Sequence, residues 1–202
     1  MAQVTWMGYL SVTSIYGNVD GAWVDETSSV NATSRLAKNR FLAEEQWKKI
    51  SSDRGVHLSV FRLGAIYDRD PPLHNRVRSG MVQRIDKPGH YFNWIHSDDI
   101  VQTVVAAMNH KHDRNVAIYN VIDDEPMPIR EVVEYTCDLL GIECPPLVEF
   151  EKFKSTASAG MIGFYNESRR VRNDKIKSVL GVKLQYSSFK LYMQQMIKQN
   201  PN

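Results

Sequence analysis

The chain has 202 residues, of which 43% are hydrophobic and 24% are charged, a composition typical of one well-buried globular domain. Its 25 Lys and Arg against 23 Asp and Glu give a formal charge of +2, which is too even to predict a nucleic-acid or membrane partner. No apolar run approaches the roughly 18 residues needed to span a bilayer, and the first residues lack the order of a secretory signal. These features predict a cytoplasmic protein.

The two cysteines indicate neither a metal site nor a disulfide framework. Cys137 falls in a helical pattern and Cys144 precedes two prolines, without metal-ligand spacing between them. We expect both to be reduced thiols, and Cys137 to pack as a small hydrophobic side chain.

The first third of the chain predicts a strand, a helix and a second strand. Residues 8–17 are typical of a buried strand that ends in a turn rich in hydroxyl side chains, and residues 33–50 carry apolar side chains at helical spacing. Gly55 ends this helix, and residues 56–63 alternate as a strand does. The helix has three candidate caps, Asn31, Thr33 and Ser34. This order of elements predicts a parallel pair in a layered α/β sheet.

The rest of the chain predicts short elements separated by turns. They are a helix at 73–78, strands at 81–85 and 91–95 around a turn at 87–89, a helix that begins at Ser97-Asp98-Asp99, a strand at 117–122, a helix from Pro128 to Leu140, and helices at about 173–180 and 187–197. Residues 145–159 have no clear pattern. We interpret Asp98 and Asp99 as caps and dipole partners of their helix, and His96 as a structural residue.

Four motifs follow one another in a definite order. They are Thr13-Ser14-Ile15-Tyr16-Gly17, Phe61-Arg62-Leu63-Gly64-Ala65-Ile66-Tyr67, Trp94-Ile95-His96-Ser97-Asp98-Asp99-Ile100 and Ile118-Tyr119-Asn120-Val121. Together they resemble the C-terminal part of the NAD-dependent epimerase/dehydratase family, within the extended short-chain dehydrogenase/reductase superfamily. The run from Asp20 to Glu26 is similar to an atypical subgroup of poorly defined substrate.

The resemblance implies a partial doubly wound, Rossmann-like parallel sheet with a small C-terminal α+β substrate lobe. Residues 1–125 would belong to the NAD(P)-binding domain, with a lobe insertion at about 68–95, and residues 126–202 would form a mostly helical substrate lobe. Phosphate binding in this fold uses a glycine-rich turn after the first strand, and the 11 glycines form no such turn. We therefore expect the half of the fold that binds most of the cofactor to be missing from this chain.

The resemblance also implies hydride transfer at a nucleotide sugar or another small carbonyl or alcohol. The family uses a Tyr-x-x-x-Lys pair on a helix, in which the ammonium lowers the tyrosine pKa and holds the nicotinamide ribose. Those two positions correspond to Leu36 and Arg40 here, and the usual strand-end hydroxyl corresponds to Val12. Thr13 and Ser14 remain as the candidate catalytic residues.

By the same resemblance, the expected cofactor is NAD or NADP and no metal is expected. The cofactor-binding residues would be Leu63, Gly64, Ala65 and Ile66, together with Arg40, whose guanidinium can donate to a ribose hydroxyl. The expected partners are a small-molecule substrate and a second copy in a homodimer. Two alternatives stay open beside an oxidoreductase with a degenerate triad: a non-catalytic dinucleotide-sensing or protein-interaction module, and an inactive truncated form.

Other candidate motifs have simpler interpretations. Tyr186 and Lys190 form a literal Tyr-x-x-x-Lys near the C-terminus, which we attribute to packing of a terminal helix. The run Asp123-Asp124-Glu125 could suggest a cation site, but we interpret it as a solvated loop that precedes Pro126. Tyr165 and Asn166 lie in a predicted loop that either lines the cleft or does not, and the sequence leaves both options open.

Overall fold

The computed structural model describes residues 4–112 and 115–199. The strands are β1 (Trp6–Val12), β2 (Trp23–Val24), β3 (His57–Leu63), β4 (Ala65–Ile66), β5 (Arg84–Asp86), β6 (Trp94–Ile95), β7 (Val116–Val121), β8 (Leu147–Glu149) and β9 (Arg170–Val171). The helices are α1 (Arg35–Arg54), α2 (Leu73–Arg78), α3 (Ser97–Asn109), α4 (Ile129–Leu140), α5 (Phe150–Lys154), α6 (Ala159–Tyr165), α7 (Asp174–Ser178) and α8 (Phe189–Gln199). No helix within these ranges is long and apolar enough to cross a membrane.

Strands β1, β3 and β7 form a parallel sheet in that order, with β3 in the centre. Strand β1 pairs with β3 from Trp6 opposite His57 to Val12 opposite Leu63, and β7 pairs along the other edge of β3. Parallel strands need long crossovers, and helices supply them here. The predicted parallel pair and the layered α/β fold class are therefore confirmed.

Helices α1 and α3 cover opposite faces of this sheet. Arg62 of β3 binds Glu44 of α1, whereas the adjacent Phe61 packs in a cluster with Ile100 of α3. Successive residues of a strand point to opposite faces, so the two helices lie on different sides. Because β1, β3 and β7 follow one another across the sheet in one direction, the two crossovers have opposite hands, and one of them is of the rare left-handed kind.

Local signals in the sequence explain where α1 begins and ends. The Ser34 side chain accepts a hydrogen bond from the Ala37 amide, which selects Ser34 among the three candidate caps. Gly55 ends the helix with a φ of 60°, in the left-handed region that glycine adopts without strain.

The predicted strand at 8–17 is more exposed than its sequence suggests. It ends at Val12, where a 3₁₀ turn from Thr13 to Tyr16 begins, and only Ser11 of β1 is buried. The expectation of a buried strand is wrong because, within the described residues, β1 pairs with β3 alone.

A second hydrophobic core is separate from the cluster on the sheet, and we call the part of the chain that forms it the lobe. Its buried members come from residues 67–94 and 127–193, and they include Trp94, Val132, Phe153, Phe189 and Met193. Strand β5 overlaps the predicted range 81–85 and β6 lies within 91–95, and β5 pairs with β8 whereas β6 pairs with β4. The unpatterned stretch at 145–159 contains β8 and α5.

The predicted loop around Tyr165 is also a helix, α6. The Tyr165 ring packs against His90, Phe92 and Phe153, so it belongs to the lobe core. The division of the chain into residues 1–125 and 126–202 stays a prediction, and its limits at 1 and 202 lie outside the described residues. Ile176, from the predicted lobe, packs with the sheet cluster.

The N-terminus of α3 is capped differently from the prediction. The His96 ring accepts a hydrogen bond from the Asp98 amide, and the Asp68 carboxylate accepts one from the Ser97 amide. The buried Asp99 carboxylate instead accepts from the backbone amides of Gln185 and Tyr186. Aspartates do lie in the first turn, where they favour the helix dipole, but neither is the cap.

The literal Tyr-x-x-x-Lys has structural roles. Tyr186 lies with its ring 4.0 Å from that of His96, and Lys190 pairs with Glu125. The adjacent Phe189 is 1% exposed, which agrees with packing of a terminal helix.

Candidate functional site

The carboxyl ends of β1, β3 and β7 meet at one edge of the sheet, where open α/β sheets bind their ligands. Thr13 and Ser14 begin the 3₁₀ turn that follows β1. Val12 and Leu63 are partners in the sheet register, so this turn lies beside residues 63–66. The structure therefore places the candidate catalytic pair and most of the candidate cofactor contacts at the same edge.

The two hydroxyl side chains differ in their surroundings. Thr13 is 5% exposed, and Ser14 is half-buried. The Ser14 Oγ is buried and has no hydrogen-bond partner among the described residues. Buried polar atoms normally have a partner, so this hydroxyl fits a contact with a bound group.

Residues 63–66 approach their neighbours through the backbone. A Cβ on Gly64 would lie 2.6 Å from the Asn93 carbonyl oxygen, so only glycine fits at this position. The Gly64 amide donates to the Val121 carbonyl, and the Ala65 amide donates to that of Asn93. Leu63 and Ile66 are half-buried and Ala65 is exposed, so this segment presents a mixed apolar and backbone surface.

Arg40 is not brought to this edge by any hydrogen bond in the described part of the chain. It is exposed on α1, and its Nη1 donates to the Tyr9 Oη at 3.4 Å. Tyr9 precedes Val12 by three residues, which places its backbone on the order of 10 Å from the strand end. Leu36, one turn earlier on α1, is 52% exposed.

A network of buried polar side chains connects β3 with α1, with the turn after β1 and with β7. Arg62, 2% exposed, donates to both carboxylate oxygens of Glu44 at 3.3 and 2.9 Å and to the Tyr16 Oη at 2.9 Å. The Tyr16 hydroxyl donates to the Asn120 Oδ1 at 2.7 Å. Burial raises the pKa of Tyr16, so this phenol is not a ready base near neutral pH. Sequence reasoning missed this network, although an arginine in a strand with both faces covered requires a buried partner.

A second cation, Arg169, is largely buried and contacts the residue that ends the turn. Arg169 Nη1 donates to the Gly17 carbonyl at 2.9 Å and to Glu167 at 3.1 Å. Glu167 in turn accepts a hydrogen bond from the Thr33 hydroxyl. Burial lowers the pKa of Arg169. These contacts fix the turn from the side of the lobe.

The acidic run after β7 is a loop, as predicted, but it is solvated only in part, at Asp124 and Glu125. Asp123 is 1% exposed, and burial raises the pKa of its carboxyl well above the usual value. Asp124 pairs with Lys177, and Glu125 pairs with Lys190. Within the described ranges, no group of three or more His, Cys, Asp or Glu side chains is arranged to hold a metal ion.

A cavity lies in the lobe, away from the sheet edge. It measures about 470 Å³ and separates the turn at 87–89 from the start of α4. Its lining includes Ile85, Lys87, Tyr91, Arg130 and Glu134. A smaller cavity of about 180 Å³ lies beside Trp23, Arg172 and Lys177.

Comparison with known proteins finds similar proteins among the solved structures. No protein-family model and no curated protein matches it. A conserved protein of unknown function from Silicibacter pomeroyi is 39% identical with a TM-score of 0.84, and the match covers 98% of this chain and 67% of that protein.

Two more distant structures share the fold. The human epimerase family protein SDR39U1, solved with NADPH, is 15% identical with a TM-score of 0.79, over 96% of this chain and 65% of its own. DesIV, a dTDP-glucose 4,6-dehydratase from Streptomyces venezuelae solved with NAD, is 17% identical with a TM-score of 0.72, over 96% and 60%. The chain spans about two thirds of the length of these proteins. It belongs to the family of the conserved Silicibacter pomeroyi protein and has the Rossmann-like fold of the NAD-dependent epimerases and dehydratases.

Proposed function

We propose that the chain carries the nicotinamide and substrate side of an NAD(P)-dependent oxidoreductase of the epimerase/dehydratase type. The observation that carries the proposal is the meeting of Ser14 and residues 63–66 at the carboxyl edge of the sheet. The unpartnered Ser14 hydroxyl suits a polar group of a ligand held at this edge. Fold relatives solved with NAD and NADPH support the choice of cofactor.

The chain's own residues would bind and orient the substrate. Thr13 and Ser14 offer hydroxyls that can donate to and accept from a sugar hydroxyl or a carbonyl. Arg62, which donates to the Tyr16 hydroxyl, and Arg169, which donates to the Gly17 carbonyl, hold the turn that presents them. NAD or NADP, when bound, supplies the hydride acceptor or donor. The substrate class we propose is a nucleotide sugar or another small carbonyl or alcohol.

Binding at this edge can be tested with half of the cofactor. Nicotinamide mononucleotide, NAD and NADP are titrated into the isotopically labelled chain, and amide shifts are followed by NMR. We expect nicotinamide mononucleotide to shift the amides of Ser14, Gly64 and Ala65, and Ser14→Ala to weaken its binding several-fold. Ser29→Ala removes an exposed hydroxyl elsewhere and serves as the matched control. If none of the three compounds moves these amides, the proposal is wrong.

The second candidate is a binding module without catalysis. It is favoured by the aliphatic, exposed Leu36 at the position of the family's tyrosine and by the contact of Arg40 with Tyr9. Turnover of nucleotide sugars, measured by chromatography of the products, and turnover of small ketones, measured as NAD(P)H absorbance, separate the candidates. Turnover that is lost in Thr13→Val and Ser14→Ala and kept in Ser29→Ala supports the oxidoreductase. Cofactor binding with no turnover of any substrate supports the module.

A further inference from the structure

The two cysteines are brought together by the way α4 ends. Gly141 has a φ of 62°, and the Ile142 amide donates to the Cys137 carbonyl at 3.0 Å, so the chain reverses direction in a Schellman turn. The returning segment carries the Cys144 Sγ to 3.9 Å from the Val133 carbonyl oxygen. In an α-helix the carbonyl of one residue faces the amide of the residue four positions later, so the Val133 carbonyl lies next to Cys137. The Cys144 thiol therefore lies close to Cys137.

Both thiols pack in the lobe core. Cys137 is 2% exposed and Cys144 is half-buried, and both are free. The pKa of Cys137 is raised to about 12, mainly by burial and to a smaller extent by the adjacent Cys144 thiol. The sequence alone predicts two separate reduced thiols, whereas the fold pairs them.

We propose that Cys137 and Cys144 are a thiol modification site that forms a reversible disulfide within the chain. Only six residues separate them, and the turn at Gly141 already holds the two side chains on the same side of the lobe. Cys144 is the more exposed of the two, so an oxidant reaches it first.

The oxidant we name is a small disulfide such as oxidised glutathione. The Cys144 thiolate attacks one glutathione sulfur, forming a mixed disulfide and releasing one glutathione thiolate. Cys137 then loses its proton and attacks the Cys144 sulfur, which releases the second glutathione. The two cysteine thiols are oxidised to one disulfide and oxidised glutathione is reduced to two thiols.

Such a disulfide would link the two parts of the chain that line opposite sides of the 470 Å³ cavity in the lobe. Helix α4 carries Cys137 near its C-terminus and Arg130 of the cavity at its N-terminus. Cys144 leads directly into β8, which pairs with β5, and β5 contributes Ile85 and Asp86 to the same cavity. Oxidation would therefore hold β8 and β5 against α4.

The test is a redox titration of the full chain. The protein is equilibrated in glutathione buffers of increasing oxidised fraction at pH 8, alkylated with N-ethylmaleimide and analysed by intact mass. We expect two maleimide adducts under reducing conditions and none under oxidising conditions, with the product monomeric on a non-reducing gel. The oxidised form should also melt about 5 °C higher, because the cross-link closes a loop in the unfolded chain.

Single variants report on the two steps. Cys137→Ala should leave Cys144 carrying one glutathione, and Cys144→Ser should leave Cys137 unmodified in the folded protein because that thiol is buried. Should Cys137→Ala fail to fold, the wild-type masses and the Cys144→Ser variant decide by themselves. Two adducts at every glutathione ratio, or a disulfide between two chains, would overturn the proposal.

Discussion

Strands β1 and β3 pair over seven residues, yet they differ in burial. Six of the seven residues of β3 are buried, whereas Gly8 and Leu10 of β1 are exposed. Their sequences would suggest the reverse, since β3 contains Arg62 and a histidine while β1 contains no charged residue. The burial of a strand therefore depends on its place in the sheet and not on its own composition.

The difference comes from what covers each strand. Strand β3 lies between β1 and β7, with α1 on one face and α3 on the other. Within the described residues, β1 has β3 on one edge only. Open strand edges with apolar side chains are sites where a further strand or another chain can pair. If β3 is the central strand and β1 has an open edge, substitutions in β3 should lower the free energy of unfolding much more than substitutions in β1.

The largest expected effect is loss of the buried ion pair of β3. Arg62→Leu leaves the fully buried Glu44 carboxylate without its cation, and we expect the free energy of unfolding to fall by about 4 kcal/mol. Urea denaturation followed by circular dichroism measures this loss. The double variant Arg62→Leu with Glu44→Leu should recover most of it, because no unpaired charge remains. A double variant as unstable as the single one would show that the ion pair is not the cause.

The next effect compares one leucine from each strand. Leu58 of β3 is 0% exposed and Leu10 of β1 is 48% exposed. We expect Leu58→Ala to lower the free energy of unfolding by about 3 kcal/mol and Leu10→Ala by less than about 1 kcal/mol. Paired thermal and urea melts give both values, and equal losses would mean that β1 is covered in solution.

A smaller effect concerns Asp123, which follows β7 on the far side of β3. Burial raises the pKa of this carboxyl in the folded protein, so its contribution to stability is present at low pH and is lost as pH rises through the folded-state pKa. Asp123→Asn cannot ionise, and we expect it to be more stable than the wild type by about 1 kcal/mol at pH 8. The difference should vanish near pH 4. Asp124→Asn, at an exposed neighbouring position, is the control and should show no such gain.

The smallest effect on stability is expected in β1 itself. Leu10→Lys should change the free energy of unfolding by less than about 0.5 kcal/mol, because the side chain already faces solvent. A lysine at an open edge opposes pairing with other chains, so self-association measured by sedimentation should decrease. Val60→Lys, at a 0% exposed position of β3, should by contrast prevent folding.

Features set by neighbouring residues were predictable from the sequence. Ser34, Gly55 and Gly141 act within one helical turn, and the helix ends they define agree with the structure. The pairing of β5 with β8 was not predictable, because Arg84 and Leu147 are far apart in the chain. Their contact depends on how the whole lobe packs.

In the candidate site, too, the features set by local pattern were predictable and the contacts between distant residues were not. Thr13, Ser14 and residues 63–66 meet at one edge because parallel strands end together, which the sequence pattern predicts. The contact of Arg40 with Tyr9 depends on the rotation of α1 about its axis. The face of α1 that meets the sheet carries Ala37, Glu44 and Ser51, and no local pattern reveals that Glu44 pairs with Arg62 there.

The opposite placement of α1 and α3 gives Arg62 a further consequence for strand alignment. A slip of β3 by one residue would turn its guanidinium toward the apolar cluster around Ile95 and Ile100, and would set the Phe61 ring against Glu44. Both changes bury a charge without its partner, so misaligned forms of the sheet are excluded by one side chain. Arg62 thus acts as a register lock for the central strand.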